Sequence, residues 1–227
     1  MDYLHWDEKT ITDFSEENIA AMYDRGYVFT RIGKGVMQQT RSVRINLLKF
    51  ELSSENRRIL KKMDSGVYLK VIRIPDDMLD GIYDWSIHKM GTDFYSKKFG
   101  DSVFSANKIK DLILNKEKSN FNRLLVYTED ELGNYFQIGY CIAYENTKMI
   151  HYSYPFYDLE KSPKDMGMGM MLEGIDYAKK TGKQHIYLGS LQRPTDTYKL
   201  QFAGLEWFDG KEWKNDIHEV KKLLSTL

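Results

Sequence analysis

The chain has 227 residues, 42% of them hydrophobic and 14% aromatic, and its 33 basic and 33 acidic side chains cancel. This is the composition of a folded globular protein, which excludes a disordered tail or a low-complexity linker. The one cysteine, Cys141, excludes an internal disulfide and a cysteine-based metal cluster, and no apolar run approaches the roughly 20 residues of a membrane-spanning helix. Met1 leads into Asp2, Asp7 and Glu8 with no basic and apolar leader, so a cytoplasmic protein is expected.

The zero net charge is unevenly spread. From Arg31 to Arg73 there are 11 Lys or Arg against 3 acidic residues. Phosphate backbones are held by local basic patches whatever the total charge, so this stretch is a candidate contact to nucleic acid or phosphate, with a solvated basic face as the alternative. The basic portion ends near residue 75, which suggests a small basic N-terminal part, 1–75, and a larger domain, 76–227.

In chain order, residues 1–15 are acidic and read as irregular. Ser15-Glu16-Glu17-Asn18 caps a helix, Ile19 to Tyr23, that stops at Arg25-Gly26. Tyr27 to Ile32 and Val36 to Leu48 read as two strands of a hairpin around Gly33-Lys34-Gly35. Ser53-Ser54-Glu55-Asn56 caps a short basic helix, and Val67 to Ile74 alternates as a strand ended by Pro75. Asp76 to Lys98 carries an apolar stripe at mixed three and four spacing and reads as one helix; Ser105 caps another, Ala106 to Leu114.

From Asn122 the period becomes two. Leu124 to Tyr127, Phe136 to Tyr144 and Met149 to Tyr157 read as an antiparallel meander with short polar connections, Glu129 to Gly133 and Glu145 to Thr147. Cys141 lies in an apolar strand, as an inert buried thiol does. The segment Lys164-x-x-Gly167-x-Gly169 then opens a Met-rich helix running to about Lys180. Thr181-Gly182-Lys183 stops it, and His185 to Gly189 is the next strand, expected parallel to the strand ending at Tyr157. A strand that hands over to a helix through glycines is a natural anion site, because backbone N–H groups and the helix dipole face the turn. A glycine turn entering a core helix is the structural alternative. The tail holds Tyr198-Lys199-Leu200-Gln201-Phe202, the aromatic residues Trp207, Phe208 and Trp213, and a last helix from Asp216.

The order of helices, antiparallel meander, glycine turn, helix and strand resembles the GNAT acyltransferases. Lys164, Gly167 and Gly169 resemble their pyrophosphate loop. The expected fold is therefore a GNAT-like mixed, mainly antiparallel sheet flanked by helices, with a small basic N-terminal α/β portion. Four further blocks narrow the likeness. They are Asp24-Arg25-Gly26-Tyr27 with Val43-Arg44-Ile45, Phe50 and Glu55 to Lys62; Phe156-Tyr157-Asp158 leading to Gly167; Ile186-Tyr187-Leu188-Gly189; and Tyr198-Lys199-Leu200-Gln201-Phe202. In this order the whole chain resembles the arginyl-tRNA–protein transferases, whose catalytic half has a GNAT-like fold. It departs from them in two places. The stretch Gly33 to Ser42 lacks the family's cysteine cluster, so no metal or iron–sulfur centre is expected, and Gly169 and Gly174 stand where the family has a tyrosine and a glutamate.

The resemblance implies transfer of an aminoacyl group from charged tRNA to the N-terminal amine of a protein or peptide, with no cofactor and no membrane partner. Such a reaction needs a deprotonated amine, a polarised ester carbonyl and a proton for the leaving ribose oxygen. Tyr157 and Asp158 are the candidates for orienting the amine or relaying its proton. Tyr198 and Lys199 are further catalytic candidates, with Lys199 or Gln201 holding the tRNA 3′ end or a carboxylate. Arg41, Arg44, Arg57, Arg58, Lys61 and Lys62 are expected to contact tRNA phosphates or an acidic acceptor, since a guanidinium grips both oxyanions. Two alternatives stay open. One is a CoA-dependent N-acetyltransferase, favoured by Gly169; the other is a non-catalytic module binding tRNA or protein N-termini, favoured by the loss of the tyrosine and glutamate.

Overall fold

Short capped helices alternate with strands along the whole chain. In the computed structural model the described residues are 4–63, 66–79 and 83–226. The elements are, in order, β1 (Asp7–Thr10), α1 (Glu16–Asp24), β2 (Tyr27–Phe29), β3 (Val36–Gln39), β4 (Ser42–Asn46), α2 (Ser54–Met63) and β5 (Val67–Arg73). After a short 3-10 helix (Asp76–Leu79) come α3 (Ser86–Phe99), α4 (Ala106–Leu114), β6 (Arg123–Glu131), β7 (Asn134–Glu145) and β8 (Met149–Tyr157). Then follow α5 (Met166–Lys180), β9 (His185–Ser190), a 3-10 helix (Pro194–Gln201), β10 (Leu205–Phe208), β11 (Trp213–Lys214) and α6 (Ile217–Ser225).

The chain divides into two units that are discontinuous in sequence, and neither has a bound at residue 75. The first comprises Met1–Ser53, Asn146–His151 and Ala178–Leu227; the second comprises Ser54–Glu145 and Tyr152–Tyr177.

In the first unit the strand order is β11-β10-β4-β9-β8, accompanied by a separate three-stranded sheet, β1-β3-β2. β4 pairs antiparallel with both β9 and β10. Met149–His151 of β8 run parallel to His185–Tyr187 of β9, the orientation expected from the intervening helix. Ser15 caps α1 by accepting from the Asn18 N–H at 3.3 Å, and Asp216 caps α6 in the same way. Gly26 has φ +80°, and a Cβ there would lie 2.2 Å from the Phe208 ring, so both the turn and the packing demand glycine.

Two expectations are corrected here. Val36 to Leu48 is not one strand: it breaks at Thr40, and its halves join different sheets. The break is held by polar side chains, Thr40 Oγ1 donating to the Leu4 carbonyl at 2.7 Å and Ser42 Oγ donating to the Gly26 carbonyl at 2.7 Å. The acidic N-terminus is not irregular throughout, because the exposed strand β1 pairs antiparallel with β3.

In the second unit β8 is followed by β7, β6 and β5, with the β5/β6 and β6/β7 pairs antiparallel. The β6 and β7 strands run closer to their turn than expected, leaving Leu132 and Gly133 (φ +54° and +86°) as a two-residue connection. Asp76 to Lys98 is not a single helix. The 3-10 helix ends at Leu79, residues 80–82 lie outside the described residues, and α3 begins only at Ser86, whose N–H the Asp84 carboxylate accepts at 2.7 Å. The mixed apolar spacing thus belongs to two segments rather than one. Helix α5 lies against β6 and β7, with the Tyr127 hydroxyl donating to the Met170 carbonyl at 2.7 Å and Met170 beside Gly139. Helix α3 packs on α4 and β8 through Gly91, where a Cβ would meet Ile109 at 2.6 Å and Phe156 at 3.4 Å.

Candidate active site

In the second unit β8 ends at Tyr157, and Asp158 turns the chain. The Asp158 N–H donates to the Ile138 carbonyl at 2.9 Å, and its Oδ1 accepts from the N–H groups of Glu160 and Lys161 at 2.9 and 3.1 Å. One carboxylate oxygen therefore builds the turn, which is a structural task. Tyr157 and Asp158 line a cavity of about 360 Å³ whose other wall is α3, with Ser86, Lys89, Asp93 and Lys97. Ligand pockets begin at about this size. Lys89 is paired with Asp93 at 2.5 Å. The Tyr157 ring rests against Phe94 at a centroid distance of 4.9 Å, and burial pushes its phenol above the usual range. It therefore stays neutral near pH 7 and remains a proton donor.

The start of α5 lies beside Tyr157. A Cβ at Gly167 would come within 3.4 Å of the Tyr157 hydroxyl, and one at Gly169 would come within 2.4 Å of the Met63 sulfur. The two glycines thus admit a tyrosine and a methionine at the helix start. Around them, the N–H groups of Met168 and Gly169 donate to the Asp165 carbonyl at 3.0 and 2.9 Å, and the Met166 N–H donates to the Pro163 carbonyl at 3.2 Å. Asp165 itself (φ +72°) sits just before the helix, and its carboxylate faces α2, 3.4 Å from Lys62 and 3.8 Å from Arg58. Arg58 also grips Glu55. Lys164, Arg57 and Lys61 are exposed. Tyr157, Asp158, Gly167, Gly169, Arg58 and Lys62 all belong to this unit, the last four gathered at the start of α5.

The first unit holds the other candidates. Arg44 corrects an expectation: it is not a surface contact for phosphates. Its guanidinium donates to Glu206 at 2.8 Å, Asp24 at 3.0 Å and the Tyr187 hydroxyl at 3.3 Å, and lies 4.0 Å from the Trp213 ring centroid. Its side chain is 12% exposed, and its Nε and Nη1 are engaged by these partners. Arg41 is half-buried and donates to the Leu191 carbonyl at 3.5 Å. Lys199 is also half-buried and donates from Nζ to the Ser190 carbonyl at 2.9 Å. Tyr198 is exposed, and Gln201 donates to the Tyr198 carbonyl at 2.7 Å.

Four features escaped the sequence reading. Asp165 and Met63 occupy the start of α5, Lys89 and Lys97 line the cavity, and Glu206 and Asp24 hold Arg44. The fourth is a buried pair, His151 and Tyr23, with the Tyr23 hydroxyl 2.9 Å from His151 Nδ1. That hydroxyl also accepts from the Phe29 N–H at 3.3 Å. Burial, with a smaller contribution from the Lys199 charge, pushes His151 down to about 3. Only the i, i+4 spacing of Lys89 and Asp93 was a usable sequence signal.

Among the described residues no group of three His, Cys, Asp or Glu is placed to hold a metal ion, and no helix is long and apolar enough to cross a membrane.

No family model matches the chain. Two curated relatives from Stenotrophomonas maltophilia, both named aspartate/glutamate leucyltransferase, are similar over short stretches. The strain K279a protein is 34% identical over 62 residues, 26% of this chain and 25% of the relative; the strain R551-3 protein is 32% identical over 69 residues, 30% and 28%. The matched stretch thus spans about a quarter of the length of these relatives. Among solved structures, FemX superposes with a TM-score of 0.54 at 10% identity, covering 92% of this chain and 71% of FemX. That likeness is one of fold, and the fold is the expected GNAT-like one: a mixed, mainly antiparallel sheet flanked by helices.

Proposed function

We propose that this protein is an aminoacyltransferase that moves an amino acid from charged tRNA to the N-terminal amine of a protein or peptide. The observation that carries the reading is the cavity at the end of β8, where a neutral phenol, a carboxylate and an ion-paired lysine converge. The local identity to leucyltransferases supports the reaction class and brings leucine beside arginine as the transferred residue.

In this reading the acceptor amine enters the cavity against Asp158, which holds it as ammonium and takes up its proton through the oxygen not used in the turn. The amine nitrogen attacks the ester carbonyl. The tetrahedral intermediate then collapses, the carbon–oxygen bond to the ribose breaks, the Tyr157 phenol gives its proton to the leaving ribose oxygen, and the phenolate is restored by the second proton that the attacking nitrogen loses on becoming the amide. The CoA-dependent alternative is disfavoured at the start of α5, where Asp165 already brings a carboxylate and Met63 fills the space over Gly169.

The test incubates purified protein with labelled leucyl-tRNA, arginyl-tRNA or acetyl-CoA and peptides beginning with Asp, Glu, Lys or Arg. Label is expected to pass from a charged tRNA to a peptide, and Tyr157→Phe is expected to lower kcat by about 100-fold with little change in KM. Label passing only from acetyl-CoA would replace the proposal with an acetyltransferase. Tight tRNA binding without transfer would leave a binding module.

A further inference from the structure

The outer end of the β6-β7 hairpin is apolar and uncovered. Leu132 sits in its two-residue turn at φ +54° and is fully exposed. That left-handed backbone favours Gly or Asn, and full exposure favours a polar side chain, so a branched apolar residue is doubly out of place there. Tyr135 and Phe136 follow, 67% and 49% exposed. Successive residues of a strand point to opposite faces, so neither face of β7 is covered at this end. On β5, the last strand of the sheet, Tyr68 is 55% exposed. It pairs with Thr128, which pairs with Gln137, two residues from Tyr135, so Tyr68 and Tyr135 share a face.

Both signs of charge flank these rings. Glu129 and Asp130 of β6 lie directly opposite Phe136 and Tyr135. The Asp130 carboxylate closes the turn by accepting from the Gly133 N–H at 2.8 Å, which leaves Glu129 as the open carboxylate. The C-terminal end of α2 adjoins the same corner: the Asp130 N–H donates to the Gly66 carbonyl at 2.9 Å, and the Gly66 N–H to the Met63 carbonyl at 3.1 Å. On α2, Arg58 and Lys62 face Asp165, whereas Lys61 is exposed. Among the described residues neither Lys61 nor Glu129 forms an ion pair.

An apolar corner that carries an acidic and a basic strip side by side is its own complement. Nucleic acid or an anionic lipid surface would answer the lysine and be repelled by the carboxylates between the rings. A second copy related by a two-fold axis sets each Lys61 against the other's Glu129 and closes rings on rings, the self-matching contact of an isologous dimer. We propose that this corner, Tyr68, Leu132, Tyr135 and Phe136 rimmed by Glu129 and Lys61, is the surface through which two copies of this chain associate. The corner lies wholly within the second unit.

The test is sedimentation equilibrium of the purified chain over a concentration series. The parent should dimerise reversibly with a Kd in the micromolar range. Leu132→Asn keeps the turn, because Asn-Gly is the preferred pair there, and should weaken association about tenfold or more. Its melting temperature, taken at a dilution where the parent is monomeric, should stay level or rise. Glu129→Lys and Lys61→Glu should each be monomeric, because each sets like charges across the axis. Mixed in equal amounts, these two variants should regain a dimer, since opposite charges then meet at both contacts. A parent that stays monomeric at every concentration would overturn the interface. So would a dimer that survives Leu132→Asn and both charge variants, or charge variants whose mixture stays monomeric. A monomeric parent that co-sediments with phosphatidylglycerol vesicles, and loses this in Leu132→Asn, would give the corner to a lipid surface instead.

Discussion

The start of α5 and the end of β9 both gather positive charge, and they differ in what answers it. At α5, Lys62 and Arg58 meet the chain's own Asp165 at 3.4 and 3.8 Å. At the end of β9, Arg41 and Lys199 donate to backbone carbonyls, with no ion pair to a carboxylate among the described residues. The glycine pattern pointed to the first place as the anion site, yet an anion is already built in there. A basic residue or a glycine turn in a sequence therefore says little about ligands until the fold shows which cations have found carboxylates. Arg44 is the far end of that scale, with two carboxylates, a phenol and an indole around one guanidinium.

The largest expected effect is at Arg44. Arg44→Met leaves Glu206, 17% exposed, without its partner, and breaking a buried pair from one side costs several kcal/mol. Because both groups keep some water, a loss of about 3 kcal/mol is expected, read as a shift in the urea midpoint at constant slope. A loss no larger than that of Arg41→Gln would erase the distinction between satisfied and unsatisfied cations.

His151 sharpens the comparison through pH, since the Lys199 charge adds to the burial that holds it near 3. The sign follows from its neutral folded form. Below the unfolded value near 6.5 the unfolded chain binds a proton that the folded chain refuses, so stability falls as pH drops from 6.5 toward 3. One proton gives a slope of at most about 1.4 kcal/mol per pH unit. Subtracting the curve of His151→Gln from that of the parent should isolate this slope, and Lys199→Met should leave its steepness but end it at a higher pH. Parallel parent and His151→Gln curves would mean that the imidazole is not held neutral.

What the sequence made legible was local. Ser15, Ser105 and Asp216 were readable as caps because a cap is a short-range hydrogen bond to the next turn. The β2/β3 hairpin and the parallel β8-α5-β9 unit followed from periodicity and handedness. Strand β1 was hidden because all four of its residues are exposed, so no alternation marks it. The break between β3 and β4 was hidden because Thr40 and Ser42 satisfy carbonyls far away in sequence. At the site, Tyr157 and Asp158 were found because a strand that ends in a turn advertises itself. Asp165 was missed because Lys62, which it faces, stands 103 residues away.

The smallest effect on stability, and the most direct attempt to invert the comparison, is Asp165→Asn. Asparagine suits the positive φ of this position and keeps the backbone carbonyl that receives the Met168 and Gly169 N–H groups. Only the negative charge is lost, and with it an exposed ion pair, so stability should stay within about 0.5 kcal/mol of the parent. The helix dipole and Lys62 would then lose the Asp165 charge, while Arg58 keeps its pair with Glu55. Calorimetry with inorganic pyrophosphate and with acetyl-CoA should show binding to Asp165→Asn where the parent binds neither. If the parent binds acetyl-CoA as tightly as the variant, the carboxylate is not what closes this helix end to phosphates. The glycine turn would then regain its claim to a CoA loop, and the two regions would differ in their ligands rather than in whether their charge is answered.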